Sequence, residues 1–177
     1  VDTSLLAMQQ AVINFINSMK VGDYAAIVKF NNTNPNKASV VQQFLQIDSA
    51  GGPNRAALIA AVNADYPGRE SNIFDGVVVS VDAFNSPLVT LPPGPRAIIL
   101  VTDGAENNSS AEINTAVQAA VDANISIFTV GVGDFTSTTS QRILNTLPSE
   151  TGGDFYPTTD SATISNAYVQ ISQLLNN

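Results

Sequence analysis

AIILVTDGAENNSS (residues 97–110) sets six apolar or small residues directly against a carboxylate and a glycine, after which the chain turns wholly polar. A continuous apolar run of this kind fits a strand covered on both faces, the situation of a parallel sheet flanked by helices. ISIFTVGVG (125–133) has the same character. Both runs lead into helical patterns, so the second half of the chain is strand-helix repeated. The expected class is α/β: a three-layer sandwich with a Rossmann-like, mostly parallel sheet, one antiparallel edge strand and helices on both faces.

Working outward from that stretch, Leu5, Leu6, Met8, Val12, Phe15, Ile16 and Met19 recur at helical spacing and predict a helix over 4–19. AAIVKFN (25–31) and VVQQFLQID (40–48) predict strands joined by the turn formers of NTNPNKAS, hence a hairpin. Helices are predicted over 53–64 and 72–84, with Ser71 as N-cap of the second. SPLVTLPPGP (86–95) breaks the chain before the opening stretch. Helices over 110–122, 138–147 and 161–175 and a short strand GDFYP (153–157) complete the order. With no linker-like segment, residues 1–177 are expected to form a single domain.

Composition narrows the function. Fifteen acidic against seven basic residues give a net charge of −8, which repels phosphate backbones, so nucleic acid is not an expected partner. No apolar run reaches the length that spans a bilayer, so direct membrane insertion is not expected. Cysteine and histidine are both absent, which removes disulfides, thiolate or imidazole zinc sites and Ser-His or Cys-His nucleophiles. The chain is expected not to be an enzyme. A surface rich in Asn, Ser, Thr and Gln points to an extracellular or cell-surface location. The sequons at Asn31, Asn107, Asn108 and Asn124 are explained by the abundance of those residues.

Three roles remain open for Asp103. Asp-Gly is an ordinary turn or cap pair. A catalytic carboxylate needs a partnered nucleophile or second acid, and none is evident. A hard cation needs oxygen ligands, which Asp103 and the hydroxyl of Ser71 supply if both fall at the same sheet edge, where ligands of open α/β sheets bind. Gly104 lets the backbone bend closely around such an ion. Glu106 is read first as favourable placement against a helix dipole, with a rim role as the alternative, and Asp75 as a dipole partner or a supporting residue. GVGDFT (131–136) begins like a dinucleotide fingerprint but lacks the third glycine.

AVINFINSM, GDYAAIVKFN, ESNIFDGV, AIILVTDGAEN, ISIFTVGVG and LNTLPSETGGDFYPTTDSATISNAYVQI, read in order, resemble the von Willebrand factor type A family over nearly the whole chain. The resemblance implies a metal-ion-dependent adhesion site built from three loops. Ser71 matches the hydroxyl ligand of the second loop and Asp103 the aspartate of the third. It also implies Mg²⁺ or Mn²⁺, with Ca²⁺ as a further option, and a protein partner offering a carboxylate, in a secreted or surface protein, bacterial by expectation. The family's first strand and its Asp-x-Ser-x-Ser loop have no counterpart here. Asp2-Thr3-Ser4 imitates only half of the motif and Leu6 stands where its second serine belongs, so these residues are expected to lead into the first helix. The alternative expectation is therefore a metal-independent assembly domain, completed by a strand from another segment or chain.

Overall fold

The computed structural model describes residues 3–31, 37–64, 71–102, 104–106, 109–132, 137–158 and 161–176. Eleven elements follow in the order α1 (Thr3–Ser18), β1 (Tyr24–Lys29), β2 (Ser39–Gln46), α2 (Pro53–Asn63), α3 (Ile73–Phe84), β3 (Ala97–Thr102), α4 (Ile113–Asp122), β4 (Ser126–Gly131), α5 (Thr138–Thr151), β5 (Phe155–Pro157) and α6 (Ser161–Leu175). β1 and β2 pair antiparallel, from Tyr24 opposite Gln46 to Lys29 opposite Ser39. β3, β4 and β5 pair parallel in that order, with Ala97 opposite Ser126 and Thr102 opposite Gly131.

The two sheets share their helical cover. Along α1, Met8, Val12 and Phe15 belong to one apolar cluster with Ile99 and Val101 of β3, while Val12, Ile13 and Ile16 belong to another with Ala25 and Ile27 of β1. On the opposite face, Ile73, Phe74, Val77 and Val81 of α3 pack with Ile98 and Leu100 of β3 and with Phe30, just beyond β1. One helix on each face thus spans both sheets, giving a three-layer α/β arrangement. Among the described residues β1 bonds only to β2, and β3 only to β4, so each keeps one edge without a strand beside it.

Several boundaries differ from the sequence reading, among them those of α3, α4, α5 and β5. Asn72, not Ser71, occupies the N-cap of α3. α4 begins at Ile113 instead of residue 110, because the backbone N–H groups of Ser110 and Ala111 donate to the Asp75 carboxylate, at 2.8 Å each. α5 continues to Thr151 through Pro148. A proline has no N–H for the carbonyl four residues earlier, and the freed Leu144 carbonyl accepts instead from the Thr129 hydroxyl at 2.6 Å. β5 holds three residues and not five: Gly153 is still part of the turn, donating to the Pro148 carbonyl at 3.0 Å. A Cβ on Gly153 would sit 1.8 Å from the Ile127 carbonyl oxygen, which is why only glycine fits there.

At the far end of the first sheet, a joint holds α1, β2 and α2 together. Arg55 is 5% exposed and donates to the carbonyls of Ile16, Met19 and Asp48, closing the C-terminus of α1. The Asp48 carboxylate accepts from the N–H groups of Asn54 and Arg55 at 2.7 and 3.1 Å. Gly52, at the N-cap of α2, has no side chain for that task, so an acid from the end of the preceding strand performs it.

Candidate functional site

β3 ends at Thr102 with its carbonyl accepting from Val132 N–H at 3.0 Å, which keeps the chain in sheet register to its last residue. The Thr102 hydroxyl then accepts from Gly104 N–H at 3.1 Å. Gly104 is buried with φ at 81°, the left-handed region that glycine tolerates, and a Cβ there would meet the Ser140 Cβ at 2.9 Å. The two residues flanking Asp103 are therefore both fixed. Asp103 itself lies outside the described residues.

The start of α3 faces this loop, and its orphan N–H groups are satisfied from it. One Glu106 oxygen accepts from Ile73 N–H at 2.6 Å and from Phe74 N–H at 3.3 Å. The Ser109 hydroxyl accepts from Phe74 and Asp75 N–H at 3.1 and 3.2 Å and donates to Glu106 at 2.9 Å, while Ser109 N–H donates to the second Glu106 oxygen at 2.7 Å. Asp75 reciprocates by accepting from Ser110 and Ala111 N–H. The carboxylate of each segment thus holds the backbone of the other, and Glu106 lies against the positive end of the α3 dipole.

Asn72 anchors the same turn to the first sheet. Its backbone N–H donates to the Phe30 carbonyl at 2.8 Å, and its side-chain amide donates to the carbonyls of Phe30 and Lys37 at 3.0 Å each. Ser71 is half-buried immediately before it. The structure therefore gathers Ser71, Asp75, Gly104 and Glu106 at the carboxyl edge of β3. Glu106 and Asp75 both spend their carboxylates on backbone donors.

Among the described residues no group of three His, Cys, Asp or Glu side chains forms a metal cluster. The candidate ligands read from the sequence carry oxygen alone: the Ser71 hydroxyl and the Asp103 carboxylate. Oxygen ligands of this kind suit a hard cation that keeps several waters and not a thiophilic ion. The reciprocal hold of Glu106 and Ser109 on α3 escaped the sequence reading. Its one local trace is an acid followed three residues on by a serine, which names no recipient helix.

Residues 2–170 match the family described as von Willebrand factor type A domain. No curated protein matches at the sequence level. Among solved structures, a von Willebrand factor type A protein from Catenulispora acidiphila superposes with a TM-score of 0.77 at 20% identity, over 97% of this chain and 38% of that one. Proximal thread matrix protein 1 from the mussel byssus, with a zinc-occupied MIDAS motif, gives 0.71 at 14% identity, over 98% and 43%. The pilus adhesin SpaC from Lactobacillus rhamnosus GG gives 0.70 at 12% identity, over 98% and 28%. At these identities the likeness is one of fold, and the chain spans less than half the length of each of these three.

Proposed function

We propose, from the premise that the chain belongs to the von Willebrand factor type A domain family, that it is a protein-binding module of a secreted or surface protein. Its binding edge is the carboxyl edge of β3. The observation that supports this reading is the mutual hold between the first turn of α3 and Glu106, Ser109, Ser110 and Ala111, beyond the carboxyl end of β3. In this reading Asp103 and Ser71 hold Mg²⁺ or Mn²⁺. The ion supplies a coordination position for a carboxylate from the partner. The protein's own part is to fix the two donors: Gly104 bends the chain after Asp103, and Asn72 pins the residue after Ser71. Glu106 and Asp75 stiffen the loops and leave the ion to the other two side chains.

The test is manganese uptake, followed by the loss of the free-ion electron paramagnetic resonance signal, on the protein isolated from its natural source. Uptake that disappears in Asp103→Ala, with the circular dichroism spectrum unchanged, supports the reading. Equal uptake by that variant ends it.

A second reading is favoured by the edges of β1 and β3 that, among the described residues, have no strand beside them and lie under the same two helices. In it, the single domain is an assembly unit whose sheet is completed by one further strand seated between them. Such a strand pairs on both sides and relieves backbone groups that otherwise go without sheet partners, each worth on the order of 1 kcal/mol. A native mass spectrum compared with a denaturing one decides it. A separate peptide released only on denaturation establishes a donated strand; a single mass, unchanged by denaturation and equal to this chain alone, removes it.

A further inference from the structure

The connection from α3 to β3, residues 85–96, is at the length where links without regular structure become uncommon in a compact domain. It precedes β3, so it lies at the end of that strand opposite to the candidate site. Its sequence, NSPLVTLPPGPR, holds no charge before Arg96, although the chain as a whole carries −8. Four of the chain's nine prolines, Pro87, Pro92, Pro93 and Pro95, fall within it.

Both ends of the connection are pinned. Phe84, the last residue of α3, packs on Phe44 of β2 with ring centroids 4.8 Å apart, and the Arg96 guanidinium, just before β3, sits 5.7 Å from the Phe84 centroid. The loop thus leaves and re-enters the fold at one contact. Between those ends it faces water: Pro92, Pro93, Gly94 and Pro95 are exposed, and Leu88 is 79% exposed. Among the described residues the backbone of 90–95 takes part in no hydrogen bond.

Residue type sets the form of the exposed run. Leu91 and Pro92 each precede a proline, which drives them from the helical region, and the rings of Pro92 and Pro93 fix φ. Leu91-Pro92-Pro93 therefore favours the polyproline II form, up to the bend at Pro93 and Gly94. Prolines bring carbonyls and no N–H, so this surface is apolar and only accepts. An acidic groove offers it no donor, and a lysine or arginine cluster leaves the proline rings and Leu88 uncovered. Tryptophan and tyrosine side chains meet both demands, with a flat apolar face and one N–H or O–H. With its ends pinned and its φ angles fixed, the run loses little freedom when it is bound.

We propose that residues 88–93 are a recognition segment for a protein partner whose groove is lined by tryptophan and tyrosine and takes Leu91-Pro92-Pro93 in polyproline II form. This surface is separate from the metal-dependent one proposed above, because the two lie at opposite ends of β3.

A WW domain, whose aromatic groove accepts consecutive prolines, is the probe, titrated into ¹⁵N-labelled protein in chelator. The expected result is saturable shifts in the amides of Leu88, Thr90, Leu91 and Gly94, with those of Gly104 and Glu106 unmoved. Affinity falls about tenfold in the double variant Pro92→Ala/Pro93→Ala, since each proline removed adds freedom that binding must then take away. The circular dichroism spectrum of that variant stays unchanged, because both rings are exposed. No saturable shift, shifts confined to residues outside 85–96, or equal affinity in the double variant overturns the proposal. Read in chelator, its failure is separate from failure of manganese uptake.

Discussion

β1 and β4 are strands of six residues each, YAAIVK and SIFTVG, with helices packed over both faces. Five of the six residues of β4 are buried and it pairs on both edges; all six of β1 are half-buried and, among the described residues, it pairs on one. Helical cover is common to the two, so the difference lies in the lateral neighbours. A strand in a sandwich is closed off from water as much by the strands beside it as by the helices above and below. The chain thus contains a finished half, β3–β4–β5, and a half that ends in an open edge.

The largest expected contrast comes from paired substitutions. Gly153→Ala drives a methyl group into the Ile127 carbonyl of the finished half and is expected to cost about 3 kcal/mol. Val28→Ala, in the half-buried β1, is expected to cost about 1 kcal/mol. Urea unfolding of both variants measures the difference, and equal costs would break the contrast between the halves. Next in size is the link between them. Glu106→Ala strips acceptors from three backbone N–H groups and is expected to cost about 2 kcal/mol, with Glu106→Gln recovering part of that because one oxygen acceptor remains.

The smallest effect belongs to the open half. Burial pushes the Asp48 carboxyl up, but the N–H groups of Asn54 and Arg55, its own N–H and the Arg55 charge outweigh it and hold it below the usual carboxylate range. A carboxyl depressed on folding contributes stability above its unfolded pKa and loses it as pH falls through the folded one. The gap in unfolding free energy between the protein and Asp48→Asn is therefore expected to stay level above about pH 5 and to narrow below about pH 4. A gap that widens on acidification contradicts the assignment of Asp48 as the cap of α2.

The elements most legible in the sequence belong to the finished half. IILV and ISIFTV are continuous apolar runs, and burial on both faces is what such runs record. The helix periods were equally plain. Boundaries were less so, because they depend on partners distant in sequence: the reach of α5 past Pro148 needs Thr129, and the late start of α4 needs Asp75. At the candidate site, the bend at the glycine after Asp103 was readable from local residue type. The task of Glu106 was not, since an acid beside α4 in sequence serves α3 in space. The split between the sheets follows from pairing, which a hydrophobic pattern does not encode.

Asn72 gives α3 a second attachment whose consequence is mechanical. Its donors grip the Phe30 and Lys37 carbonyls, while the N–H groups one to three residues further on are gripped by Glu106 and Ser109. The first turn of α3 is thus a rivet through two plates. Prising the β1–β2 pair away from β3 must shear one of these two sets of bonds, and the residue next in line to feel the load is Ser71.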